Sequence, residues 1–313
     1  MTSSTRAHRD RSTSRSQHSG GGTSVAAVGL HYGGTDRSMP LVDLAQAAEQ
    51  RGFDSLFLPE HSHIPSAGLT PFPGGGEVPE RYFRLWDPLV GLAYVAAHTG
   101  LVIGTCVALP GGHDPISYAK AIATLDSMSG GRFVMGVGFG WNNEEFEDHG
   151  FDAPSKYSVV TEKIALMRQL WTEDEASFDG EHVRLSPSRV WPKPAQGPHP
   201  PILLGARASR INFRRIAEWG DGWIPMGNDT VETLADQLPQ LHAAWGDAGR
   251  DRADLQVTVL QKMRPGIGDV VEKLGEMGVQ RVLIDIPTAD ESTILPLLDE
   301  VAAATRLQPL QSH

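Results

Sequence analysis

Four consecutive residues, Glu60-His61-Ser62-His63, place a carboxyl and two imidazoles where an apolar run over 55–59 ends. An imidazole has an unperturbed pKa of about 6.5, so near neutrality it both takes and gives a proton. Polar side chains at the C-terminal end of a strand are where parallel α/β barrels keep their catalytic groups. His61-Ser62-His63 also has the His-x-His spacing of a metal-dependent hydrolase. Such an enzyme needs further ligands at later strand ends, and the chain offers Gly205-Ala206-Arg207 and Pro225-Met226-Gly227 there, so no metal is expected. The next segment, 64–84, is rich in proline and glycine and has the length of an active-site loop rather than of a connector.

A strand, helix and strand over 101–141 would hold such a site in place. Residues 101–109 are apolar and β-branched, as in a strand buried on both faces, and Gly104-Thr105-Cys106 thin its end. Asp114 is placed to cap a helix with Pro115 in its first turn, and Ile116, Ala119, Ala123 and Met128 fall on one face. Ser129-Gly130-Gly131 closes that helix, and a second strand over 132–138 leaves through Gly136, Gly138 and Gly140. Both glycine-thinned ends point to one side, the side on which parallel α/β folds keep their active sites.

The same alternation runs through the chain. Apolar strands are expected to start at Val25, Ser55, Leu101, Phe133, Ile202, Gly222, Leu255 and Val279, with a helix after each. Leu41, Val42, Leu44, Ala45 and Ala48 make one such helix ahead of Gly52; Asp87-Pro88 begins another that runs to His98. Val160, Ile164, Met167 and Trp171 stripe a third. Two stretches stand outside the alternation. One is a polar loop over 142–154; the other is an insertion in which Asp179-Gly180 signals a hairpin and prolines break the chain over 189–201. Eight units close a barrel, so the fold class is α/β, a (β/α)8 TIM barrel with loop and hairpin insertions, a single domain over 24–313. Residues 1–23, mostly Ser, Thr, Arg, His and Gly, have little to bury and are expected to form a disordered leader.

Composition narrows the function classes. The 313 residues leave room for a barrel of about 250. With 27 Lys+Arg against 38 Asp+Glu, the formal charge of −11 argues against nucleic acid as a partner. No run approaches the roughly 18 apolar residues of a spanning helix, and the N-terminus lacks the apolar core of a secretory signal, so no membrane partner is expected. One cysteine, Cys106, excludes an intrachain disulfide and suits a reducing cytoplasm, the expected location.

Seven motifs then stand in order: Gly52-Phe53-Asp54-Ser55-Leu56, Pro59-Glu60-His61, Ile103-Gly104-Thr105-Cys106-Val107, 123–132 ending in Ser129-Gly130-Gly131-Arg132, Gly136-Val137-Gly138-Phe139-Gly140-Trp141, Pro200-Pro201-Ile202-Leu203-Leu204-Gly205 and Gly220-Asp221-Gly222-Trp223. Each alone is weak, but as an ordered set over 41–227 they resemble the bacterial luciferase-like monooxygenase superfamily, in its deazaflavin (coenzyme F420) oxidoreductase branch. The resemblance implies a luciferase-like barrel, usually a homodimer, with a flavin or deazaflavin across its C-terminal mouth and hydride transfer to or from a small-molecule substrate. It places a non-prolyl cis peptide at Cys106-Val107, after Thr105, as the backing of the cofactor ring. By the same resemblance Gly138, Phe139, Gly140 and Trp141 lie along the ring or ribityl chain, and Gly205, Ala206 and Arg207 receive the phosphate at a helix start. His61, with Glu60, falls where these enzymes keep a proton partner near the reacting ring atom.

Two positions depart from the pattern. Ala206 stands where the family often has glycine, and Trp141 stands where the sugar-phosphate dehydrogenases have glutamate, which counts against the same substrate and the same acid. An FMN-dependent monooxygenase supplied with reduced flavin by a partner reductase is the alternative on the same fold. A barrel that binds flavin without catalysis is the third reading.

Overall fold

The computed structural model describes residues 26–227 and 230–310. Among these residues ten strands follow in order: β1 (Ala27–Tyr32), β2 (Ser55–Leu58), β3 (Val102–Thr105), β4 (Phe133–Val137), β5 (Ala176–Asp179), β6 (Arg184–Ser188), β7 (Ile202–Ala206), β8 (Gly222–Pro225), β9 (Gln256–Lys262) and β10 (Arg281–Ile286). All except β5 and β6 pair in parallel and close into a barrel, with β10 returning to β1. The intervening helices are α1 (Leu41–Gln50), α2 (Pro88–His98), α3 (Pro115–Ser129), α4 (Asn143–Asp148), α5 (Lys156–Thr172), α6 (Arg210–Trp219), α7 (Val231–Asp247), α8 (Ile267–Glu276) and α9 (Glu291–Ala304). The eight-unit (β/α)8 barrel expected from the alternation is therefore the architecture.

Alternate residues of each strand divide between two cores. The larger lies between strands and helices and holds Leu30, Leu56, Ile103, Met135, Leu204 and Trp223. The smaller fills the barrel with Phe57, Cys106, Val134, Leu203, Ile224 and Leu283. Glycine makes room for it, since a Cβ on Gly104 would fall 2.4 Å from the Phe57 ring. Helix starts are set by short polar side chains: Asp87, Asp114, Ser209 and Asp290 each accept the N–H three residues on.

Several boundaries differ from the sequence-based expectation. β3 stops at Thr105 rather than Leu109, because the chain leaves the sheet through a cis Cys106-Val107 peptide into a 3₁₀ turn, Pro110–Gly112. The buried face of α3 is Tyr118, Ala119, Ile122, Ala123 and Leu125; Met128 is 82% exposed and belongs to no core. The stretch read as polar loop contains α4, capped by the Asn142 side chain on the Glu145 N–H. The hairpin is present, but its strands are joined by 180–183, and three amides of that loop donate to the Glu162 carboxylate on α5. The leader over 1–23 and Val25 lie outside the described residues. Among the described residues no helix is long and apolar enough to cross a membrane.

Candidate active site

The loops after β2 and β4 bring His61, Trp141 and Glu145 together although 80 residues separate the first two. His61 Nδ1 lies 2.7 Å from Glu145 Oε2, and the Trp141 indole N–H points at His61 Nε2 from 3.2 Å. An indole nitrogen only donates, so Nε2 must accept and the ring proton must sit on Nδ1, donated to Glu145. The protein thus fixes one tautomer of a neutral histidine. The two side chains are nearly sealed, at 7% and 6% exposure, so their hydrogen bonds do not compete with water. Burial raises the Glu145 carboxyl, but the His61 imidazole and the Ser62 N–H and hydroxyl outweigh it and hold the group below the usual glutamate value.

Glu60 and His61, adjacent in sequence, turn to different partners. Glu60 is buried, accepts the Leu109 N–H and pairs with His113 Nε2 at 2.6 Å, which ties β2 to the loop after β3. His63 turns outward to Asp148 on α4, so the His-x-His pair converges on no single point. Tyr82 and Phe72, from the long 64–84 segment, close a ring of aromatic contacts with His61 and Trp141, with centroids 5.1–5.7 Å apart. That segment is held down by Glu144, whose carboxylate accepts the Leu69 and Thr70 N–H groups.

The cis peptide lies at Cys106-Val107, as the resemblance implied. Thr105 is buried and donates its hydroxyl to the Gly136 carbonyl. A Cβ on Gly138 or Gly205 would fall 2.5 or 2.4 Å from a Val107 methyl, so both glycines seat that side chain. A third feature here was not read from the sequence. His31 on β1 faces Asp285 on β10 at 2.7 Å and the Cys106 carbonyl at 3.1 Å, two acceptors that an imidazolium serves together. Burial raises Asp285, but His31, Arg81 and Lys262 bring it below the usual aspartate value. A polar residue near the end of each of two otherwise largely apolar strands, two positions beyond Gly29 and Leu283 on the inward face, was the signal available. Burial drives the Cys106 thiol up to about 12, so it packs as a small apolar group and does not ionise near neutrality.

Phe139 and Tyr157 pack edge to face, with the Arg215 guanidinium over both rings at 5.4 and 4.5 Å. Gly205 and Ala206 end β7, and Arg207 is exposed just before α6. No carboxylate of the described residues lies within ion-pair distance of Arg207, Arg210 or Arg214. Gly140 has φ +73°, and a Cβ there would meet only Leu109, at 3.6 Å. Uncompensated cations at a helix start, beside a strand end seated on glycine, suit an anionic phosphate tail, so these residues fit a flavin or deazaflavin.

Among known proteins, an uncharacterized protein of Mycobacterium tuberculosis is 39% identical over 282 residues, which is 88% of this chain and 98% of its own. The F420-dependent glucose-6-phosphate dehydrogenase of Nakamurella multipartita is 33% identical over 230 residues, 71% of this chain and 62% of its own. The FMNH(2)-dependent dimethylsulfone monooxygenase of Pseudomonas putida is 34% identical over 140 residues, 43% of this chain and 38% of its own. The coenzyme F420-dependent tetrahydromethanopterin reductase of Methanopyrus kandleri superposes with a TM-score of 0.69 at 16% identity, covering 90% of this chain and 99% of that one. The family model of the luciferase-like monooxygenases matches residues 17–263, and with the closed barrel and its mouth in view, the chain belongs to that family of oxidoreductases.

Proposed function

We propose that the protein transfers a hydride between reduced coenzyme F420 and a small organic substrate, as a cytoplasmic homodimer. The observation that carries this reading is the fixed tautomer of His61, which turns an Nε2 lone pair toward Trp141 and keeps its proton on Nδ1 against Glu145. A substrate that gains or loses hydride at carbon must also gain or lose a proton, and His61 is the group able to exchange it. The phosphate would be held at Gly205, Ala206 and Arg207, and the ring and ribityl chain along Thr105, Cys106, Val107, Gly138, Phe139, Gly140 and Trp141. F420 supplies, when bound, a two-electron hydride carrier that reacts sluggishly with oxygen. Glu60 positions the loop after β3 through Leu109 and His113.

Kinship over 71% of the chain to an F420-dependent dehydrogenase supports this choice over FMN. The FMN reading, with reduced flavin supplied by a partner reductase, has the shorter match of 140 residues in its favour. Titration of the purified protein with oxidised and reduced F420 and with FMN, followed by absorbance and fluorescence, separates the two. Stopped-flow oxidation of the reduced cofactor by candidate substrates then tests His61. His61→Ala is expected to lose about 100- to 10,000-fold in rate while cofactor affinity changes little. Saturable binding of FMN alone overturns the cofactor assignment, and equal rates for wild type, His61→Ala and Glu60→Gln overturn the role of His61.

A further inference from the structure

The His61–Glu145 pair does not end at Glu145. Glu145 Oε1 accepts the Ser62 N–H at 2.8 Å and the Ser62 hydroxyl at 3.2 Å. A hydroxyl has one proton to give and two lone pairs, and Ser62 Oγ also lies 2.9 Å from His63 Nδ1 and 2.8 Å from His149 Nε2. The one hydroxyl proton can go to only one of these three partners, so which of them it serves depends on which ring nitrogen presents a lone pair. His63 Nε2 in turn meets Asp148 at 2.9 Å, where the two side chains are 39% and 62% exposed. A small open pocket of about 20 Å³, bordered by Glu60, Ser62, His113, Glu145 and His149, lies beside the chain of bonds. A sealed histidine is thereby joined to the surface through groups that all exchange protons.

The geometry points to a proton relay from His61 through Glu145 and Ser62 to His63 and His149, serving the hydride-transfer site on which it rests. A proton taken at His61 Nε2, as the Trp141 N–H gives up that lone pair, makes the ring an imidazolium, and the ring passes its Nδ1 proton to Glu145 Oε2. Turned so that its proton lies on Oε1, the neutral carboxyl hands it to Ser62 Oγ as the hydroxyl gives its own proton to whichever of His63 Nδ1 and His149 Nε2 presents a lone pair, and that ring releases the proton of its other nitrogen, for His63 the Nε2–H that lies on Asp148 at the surface. One proton enters and one leaves, and the same bonds run in reverse for a substrate that must be protonated. Charged groups surround the outer end. His149 is lowered from the usual histidine value, first by burial and then by His63, while Glu145 opposes this and His113 and Lys163 add to it. Lys156 on α5 also faces Glu145.

Exchange of the His61 Nδ1 proton with water, followed by NMR on the free protein with ¹⁵N-labelled histidine, tests the relay without cofactor or substrate. It therefore succeeds or fails whichever cofactor the protein uses. Ser62→Ala removes the hydroxyl but keeps the backbone N–H on Glu145, and it is expected to slow exchange by about 100-fold, the lower end of what a positioned proton-transfer group contributes. Ser62→Thr, which restores a hydroxyl, is expected to recover the wild-type rate. Should Ser62→Ala fail to fold, the double variant His63→Gln/His149→Gln, altered only at the outer end, is expected to slow exchange likewise. A wild-type rate in the folded Ser62→Ala protein, or in the double variant, or a slow rate that Ser62→Thr leaves unrestored, overturns the relay.

Discussion

Val107 depends on what Gly138 and Gly205 lack. Each glycine gives up a side chain that would fall within 2.5 Å of a Val107 methyl, and neither has a positive φ, so the reason for glycine here is space. Gly205→Ala should therefore behave as overpacking, costing about 1–3 kcal/mol in urea denaturation. Truncating the neighbour relieves the clash, so Gly205→Ala combined with Val107→Ala should cost less than the sum of the two single changes. Additive costs would show that another contact limits the site. The same residue-level logic explains what the sequence left hidden at this mouth. Glu60-His61 reads as one acid–base pair along the chain, yet the carboxyl that meets His61 comes from Glu145, because β2 and β4 end at one rim and their loops cross there.

At the scale of elements, α5 fastens two of the loops that shape the mouth. Lys163 Nζ donates to the Gly111 and His113 carbonyls at 2.7 and 2.8 Å, and Lys156 Nζ donates to the Gly140 carbonyl and the Asn143 side chain. Burial brings Lys163 down to about 8, well below the unfolded value of about 10.4. Replacing it with methionine strands two carbonyls, so Lys163→Met should lose about 1–3 kcal/mol at neutral pH. Between the two pKa values the unfolded chain binds more protons than the folded one, so wild-type stability gains as pH rises through that window. The deficit of Lys163→Met should thus be larger at pH 10 than at pH 7, which urea midpoints at the two values measure. Helix starts and strands were legible because a capping aspartate and an apolar run act within a few residues, as at Asp87-Pro88 and Asp114-Pro115. The short helix inside 142–154 was missed although Asn142 caps it locally, because it is only six residues long and has no apolar stripe, and distant partners hold it: Glu145 and Glu144 of α4 are fixed against the segments at Ser62 and at Leu69-Thr70.

For the whole molecule, the surface is unevenly charged in a way that bears on assembly. α2 has no Lys, Arg, Asp or Glu, and its outer face leaves Val90 72% and Tyr94 61% exposed. An outer barrel helix that stayed in water would be expected to carry charge on that face. The proposed homodimer would cover it, so Val90→Glu/Tyr94→Glu should shift the protein toward monomer in light scattering while its circular dichroism stays that of a folded barrel. An unchanged mass for the folded variant would place any interface elsewhere. Closure of the barrel itself has a consequence in time. His31 and Asp285 stand 254 residues apart, and β1 and β10 pair along six positions. At about 5–20 residues per second the ribosome delivers the second partner tens of seconds after the first. Throughout that interval β1 has an open edge and His31 lacks its carboxylate, so the mouth of the barrel acquires its inner polar pair only when the final strand emerges.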